Sequence, residues 1–296
     1  MDLSIRLSTG IVICILFCSP VCSYGKKSEK SEVLNYLSNQ SNFLHYSYFR
    51  GQPAPSKDLR TLVDRQARWD DSKLGDPSTS GLHLHFEKID ERATPEGRVA
   101  ARYRVFAEGA PENKIFVLHS WLVDNTFTTD PHDIYVNNQG LLMLHKPKPE
   151  QESSMSAADD ELDVLAAADS AEPVRFVLAG RDGEIQIFGT VVPHPVVADD
   201  QGCRLEVRIA QPDAKTVLVV ADGFPAKAKI PLVLESEGSE VVDVMDTDLN
   251  GHAMAAVLPY LSGKAKGILK ATAEGPACIP SVVLPWGAAA PVPKAP

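Results

Sequence analysis

Short apolar runs with a period of two, separated by turn residues, recur from Leu82 to Leu284 and restrict this chain to a mainly β architecture. Leu82, Leu84 and Phe86 alternate with His83, His85 and Glu87. Val99, Ala101, Tyr103 and Val105 alternate with Arg98, Arg102 and Arg104. Successive side chains of an extended segment point to opposite faces, so each run has one dry and one wet side. Ile115 to Val123 is apolar on both faces and reads as a central strand. Asn137-Asn138-Gln139-Gly140 and Gly180-Arg181-Asp182-Gly183 sit between apolar runs, as hairpin turns do.

The carboxyl-terminal part repeats the pattern. Leu205, Val207 and Ile209 alternate, and apolar runs follow at 217–220, 230–234, 241–244, 255–258, 267–270 and 281–284. Short runs at this spacing predict a β-sandwich. Here Val217-Leu-Val-Val-Ala-Asp222 leads into Gly223-Phe224-Pro225, and Asp246-Thr-Asp-Leu-Asn-Gly251 follows one strand later. This combination resembles bacterial immunoglobulin-like domains, in which a strand enters a Gly-Phe-Pro element and a later hairpin carries an Asp/Asn-Gly turn. The resemblance covers roughly residues 203–286. It implies an Ig-like sandwich used as a spacer, adhesion or binding module on an exported protein. The expected fold is therefore mainly β, with two tandem Ig-like β-sandwich domains at 81–198 and 199–286. A disordered Ala/Pro-rich tail is expected over 287–296.

The amino terminus carries Arg6, the apolar run Gly10–Cys18 and then Ser19-Pro-Val-Cys-Ser23. A basic residue, a short apolar core and small residues are the parts of a secretory signal, expected here at 1–23. The run is too short for a bilayer-spanning helix, so no integral membrane segment is expected after signal removal. Cys22 offers lipid anchoring as an alternative. Residues 24–80 read as a polar leader or stalk with one amphipathic helix, capped by Ser56 and bringing Leu59, Leu62, Val63 and Trp69 to one face. The formal net charge is −10. Eight acids and no Lys or Arg fall between Glu150 and Glu172, which reads as an acidic loop inserted in the first domain, with room for a short helix. The remainder lacks a basic stripe, so nucleic acid is not an expected partner.

Three of the five cysteines lie in the signal, leaving Cys203 and Cys278. In an exported chain these are candidates for one disulfide, the alternative being two buried thiols. His83, His85 and Glu87 share one strand face, and His119 on the next apolar strand is a third candidate ligand for a metal held by a His-x-His pair. The competing reading is a polar outer strand face. Asp246, Asp248 and Asn250 match the opening of a calcium loop, but Val257 stands where such a loop needs Glu, and a hairpin turn explains the same residues. No Gly-x-Ser-x-Gly elbow, His-Glu-x-x-His pair or phosphate loop occurs, so no catalytic residue and no cofactor are assigned. The expected function is an exported, non-enzymatic surface or periplasmic interaction or scaffold protein, with a protein or cell-envelope partner. The alternative is a metal- or small-ligand-binding protein or enzyme built around His83, His85 and His119.

Overall fold

Ser56 caps the expected helix: its hydroxyl accepts the Leu59 amide at 3.2 Å, and helix α1 runs over Lys57–Asp70. Just before it lies β1 (His45–Tyr48). In this computed structural model the described residues are 44–287 without 75–76, 96–97, 113, 125 and 145–159. The expected signal, most of the expected leader, the first part of the acidic insert and the expected tail beyond Gly287 lie outside them. Among the described residues, no helix is long and apolar enough to cross a membrane.

The first half builds β2 (His83–Ala93), β3 (Val99–Glu108), β4 (Phe116–Trp121), β5 (Phe127–Thr129), β6 (Ile134–Val136) and β7 (Leu142–Leu144). It continues with β8 (Asp160–Glu161), β9 (Asp163–Ala168), β10 (Val174–Gly180) and β11 (Gln186–Val191). They form a sheet of order β2-β3-β9 and another of order β11-β10-β4-β6-β7-β8, with β5 alongside β4. Between them lies a core that includes Val105, Phe116, Leu142, Phe176, Leu178 and Ile187. The expected turns form. Asn137 Oδ1 accepts the amides of Gln139 and Leu141 at 2.9 and 3.0 Å, and Gly140 takes φ +81°.

The second half builds β12 (Val196–Asp200), β13 (Cys203–Ile209), β14 (Val217–Asp222), β15 (Lys229–Ser236) and β16 (Ser239–Asp246), then β17 (Ala253–Leu258), β18 (Lys266–Ala273) and β19 (Ser281–Gly287). One sheet has the order β1-β17-β14-β13-β12, the other β16-β15-β18-β19. Leu205, Val219, Leu232, Leu269 and Trp286 fill the space between them. Strand order repeats in the two halves. With the second half counted from β13, setting β12 aside, the first, second and third-from-last strands are neighbours (β2-β3-β9 and β13-β14-β17), and so are the last, penultimate and third (β11-β10-β4 and β19-β18-β15).

Three expectations change. The carboxyl-terminal part of the acidic insert is strand, not loop or helix: β8 pairs with β7, and β9 pairs with β3 from Asp163↔Arg104 to Ala168↔Val99. Leu162, Val164, Ala166 and Ala168 are buried while Asp160, Glu161, Asp163 and Asp169 face outward. Arg102 and Arg104 meet Asp163 and Glu161 at 3.4 and 3.0 Å, so the acids sit against the arginine face of β3. The leader's described end is also strand. β1 lies parallel to β17, and Phe49 enters the second core at 1% exposure. Finally, Val196–Asp200 pairs with β13, so the strands of the second sandwich begin before residue 199, and Gly287 closes the last strand rather than opening a tail.

Candidate functional site

Helix α1 touches both pairs of sheets, which also meet directly where Ala171 of the turn after β9 enters the second core and its carbonyl accepts the Ile209 amide at 2.8 Å. Val63 and Ala67 pack on Leu218, Val220, Met254 and Ala256, the outer face of the five-stranded sheet. Tyr46 of β1 anchors the helix there, its hydroxyl donating to the Arg60 carbonyl at 2.9 Å and to Asp64 Oδ1 at 3.0 Å. The last helical turn reaches the other sandwich. Trp69 meets Trp121 and Phe188 edge-on at ring distances of 5.1 and 5.0 Å, and its Nε1 donates to the Phe176 carbonyl at 3.2 Å.

Beside Trp69, Asp70 receives two parallel bonds from Arg175 of β10, Nε and Nη2 each at 2.7 Å. The two side chains are 0% and 2% exposed. A forked pair of this geometry satisfies guanidinium and carboxylate together, which a buried charge requires. From the opposite side Arg208 of β13 donates to the Asp70 carbonyl at 2.6 Å, while its Nε donates to Glu206 at 2.7 Å. One residue at the helix end thus binds a strand from each sandwich.

The next residue extends the network. His252, which precedes β17, is 3% exposed and lies between Asp222 (Nδ1 at 2.9 Å) and Asp71 (Nε2 at 3.1 Å). Lys73 adds a third bond to Asp222 at 2.5 Å. Burial alone would lower the imidazole pKa, but hydrogen bonds and charge from Asp222 and Asp71 outweigh it and push the value up to about 9. Asp222 is in turn held down at about 2: burial opposes ionisation there and is outweighed by His252 and Lys73. The ring is therefore a cation at neutral pH. It can act as an ionic tie but cannot accept a proton as a general base.

This sets a pH dependence. A folded-state pKa raised from 6.5 to about 9 contributes stability that is complete below the unfolded value and fades as pH rises through the folded one. The wild-type chain is expected to lose on the order of 3 kcal/mol between pH 6 and pH 10 through this group. Urea unfolding of wild type and His252→Asn across that range checks it. The difference between the two should shrink towards the alkaline end.

The structure separates the three candidate metal histidines. His83 and His85 are on the exposed face of β2, with His85 4.0 Å from Glu87. His119 is buried on β4 in the other sheet, bonded through Nδ1 to Thr129 Oγ1 at 2.9 Å and stacked on Phe127. Among the described residues, no group of three or more His, Cys, Asp or Glu is placed to hold a metal ion.

Asp246, Asp248 and Asn250 form the turn between β16 and β17. Asp246 points outward to Lys229 at 2.8 Å, and Asp248 Oδ1 accepts the amides of Asn250 and His252 at 2.7 and 2.9 Å. Asp248 thereby shapes the turn that presents His252. Asp248→Ala is expected to cost about 1 kcal/mol, the usual cost of losing such a cap. Thermal unfolding checks it, and calcium should leave the difference unchanged.

Cys203 and Cys278 form a disulfide, with Cα atoms 6.1 Å apart. Their position lies against Phe224 of the Gly223-Phe224-Pro225 element through Gly275, where an added Cβ would stand 2.8 Å from Cys278 Sγ and 3.0 Å from the Phe224 ring.

Sequence reasoning missed Asp70, Asp71, Arg175, Arg208, Asp222 and His252 as a group. The available signals were an arginine inside the apolar run Val174–Leu178 and two acids directly after Trp69. Neither names its partner, because the pairs span 105 residues (Asp70 to Arg175) and 138 residues (Asp70 to Arg208). Compared with known proteins, the chain matches no protein-family model and no curated protein sequence.

Proposed function

We propose that this chain is an exported, non-enzymatic interaction scaffold: two Ig-like sandwiches held in fixed tandem by helix α1, working at the cell surface or in the periplasm on a protein or cell-envelope partner. The observation that carries this reading is the Asp70 junction, where one buried carboxylate and its own carbonyl bind Arg175 and Arg208 of different sandwiches. A spacer needs its modules at a constant angle, and buried forked ion pairs supply that constraint. The strand order supports the Ig-like part: counted from β13, the first, second and fifth strands share one sheet and the third, sixth and seventh the other, as in that fold, although the fourth, β16, pairs with the third. The disulfide supports export, because cystines persist in oxidising compartments.

Crosslinking in intact cells, followed by purification of the chain from the envelope, tests the reading. A defined protein or envelope component should be captured by wild type and lost when Asp70→Asn loosens the tandem. Retention of the chain in the cytoplasm would contradict it. So would stoichiometric zinc, copper or iron after dialysis that disappears in the His83→Ala/His85→Ala variant, since that outcome favours a metal-dependent carrier or enzyme.

A further inference from the structure

β9 is an edge strand without the defences that its sheet carries at the other edge. There β2 has a register break between Lys88 and Asp90 and is charged at Glu87, Lys88, Asp90, Glu91 and Arg92. Charge and irregularity of that kind block the addition of a further strand. Val164 to Ala168 of β9 include no charged residue and no proline, and the register with β3 is unbroken from Asp163 to Ala168. Among the described residues, no strand pairs with the outer side of β9. An edge of this kind presents a row of amides and carbonyls that an extended segment can pair with.

The second sandwich shows what such a segment does. β9 and β17 hold the same place in the repeated strand order. β17 is flanked by β1, an added strand from near the amino-terminal end of the described residues, which runs parallel to it. His45 and Ser47 of β1 reach across to Asp243 of β16 in the facing sheet at 2.7 and 2.6 Å, and Phe49 just after β1 enters the core. β1 thereby closes the gap between the two layers at that edge. In the first sandwich a cleft of about 180 Å³ opens at the corresponding place, with Leu118 and Phe176 on one side and Leu162 and Val164 on the other. Leu165 at its rim is 57% exposed.

The cleft also has a sign. Asp130 and Asp163 line it, with no Lys or Arg among the lining residues. Asp163 has Arg102 at 3.4 Å, but that guanidinium lies closer to Asp90, at 2.6 Å. Asp130 accepts the amide and the ring of His132 at 2.9 and 2.7 Å. A strand that sets aliphatic or aromatic side chains over the cleft and Lys or Arg beside these acids complements both the apolar walls and the charge.

From the undefended edge, the open cleft and the way β1 completes the equivalent edge, we infer that β9 takes an added strand from a partner protein, an extended segment in which apolar residues alternate with basic ones. This deepens the interaction reading proposed above and rests on it, since a partner has to bring the strand.

Panning a phage-displayed library of random decapeptides on the purified chain tests it. Enriched sequences should alternate apolar residues with Lys or Arg, and a synthetic copy should bind with a dissociation constant of about 10–100 µM, as suits so short a contact. Bound peptide should slow amide hydrogen exchange at residues 163–168. Methylating the peptide nitrogens on its pairing side should weaken binding about tenfold or more, while methylating the alternate set should not. Leu165→Lys should weaken it about tenfold by placing a cation on the edge. That side chain is exposed, so the melting temperature should move by no more than about 3 °C. Enriched peptides without the alternation, binding that leaves β9 exchange unchanged, or no enrichment at all overturns the inference. So does self-association of the chain that protects the same amides, since the occupant is then a second copy. The crosslinking experiment above fails separately. A partner captured in cells without any β9 peptide rejects this site alone, whereas a β9 peptide together with retention in the cytoplasm rejects the export reading alone.

Discussion

Asp70→Asn is expected to lower the stability of the chain by about 3–5 kcal/mol, the largest effect of any single polar substitution considered. The change is nearly isosteric, so packing around Trp69 is retained. What is lost is the negative charge opposite the Arg175 guanidinium, whose side chain is 2% exposed. An uncompensated guanidinium then remains in a low-dielectric junction. Arg65 nearby makes this worse: burial and the charge of Arg175 already hold its own pKa below the usual value. Replacing both partners, as in Asp70→Leu/Arg175→Met, should recover most of the loss, because an apolar pair of similar volume removes the desolvation cost altogether. Urea unfolding of the two single variants and the double variant measures the coupling directly. A single variant costing under about 1 kcal/mol would mean that water reaches the junction.

Loss of the disulfide should have the next largest effect. Cys203 opens β13 in one sheet and Cys278 precedes β19 in the other, so the bridge ties the two layers of the second sandwich together. With the cysteines 75 positions apart, the chain-entropy model assigns about 4 kcal/mol to the link, which restricts the unfolded chain. The variant Cys203→Ser/Cys278→Ser is expected to unfold at correspondingly lower urea concentration. Reductant should shift wild type in the same direction and leave the variant unmoved. If reductant has no effect on wild type at midpoint denaturant, the bridge contributes nothing to stability in solution.

Most strands were legible because their cause is local. Leu82-x-Leu84-x-Phe86 and Val99-x-Ala101-x-Tyr103-x-Val105 alternate on the residues that form β2 and β3, and α1 begins at the Ser56 cap. The turn residues at 137–140 likewise announce their own geometry. β9 was hidden by composition. Val164, Ala166 and Ala168 carry the alternation, but three alanines and flanking acids present little apolar surface until Arg102 and Arg104 face them. β1 was hidden by topology, since its four residues pair in parallel with a strand more than two hundred positions away, from His45↔Ala255 to Tyr48↔Leu258.

The candidate sites divide along the same line. The cystine was legible because the expectation of export leaves two cysteines with few alternatives. Period two set His83 and His85 on one face, but it carries no information about which sheet receives His119. The Asp70 and His252 networks depend wholly on tertiary contacts. Each member taken alone is an ordinary charged residue, and only the docking of α1 between two sandwiches makes it a buried tie.

In the proposed tandem these ties hold the two sandwiches at one angle. Spin labels on cysteines at Glu184 in the first sandwich and Lys215 in the second, both highly exposed side chains at 75% and 63%, report the distance between them by pulsed dipolar spectroscopy. One narrow distance distribution is expected for the otherwise wild-type chain, broadening when Asp70→Asn is added. A broad distribution before that substitution is introduced would contradict the fixed tandem.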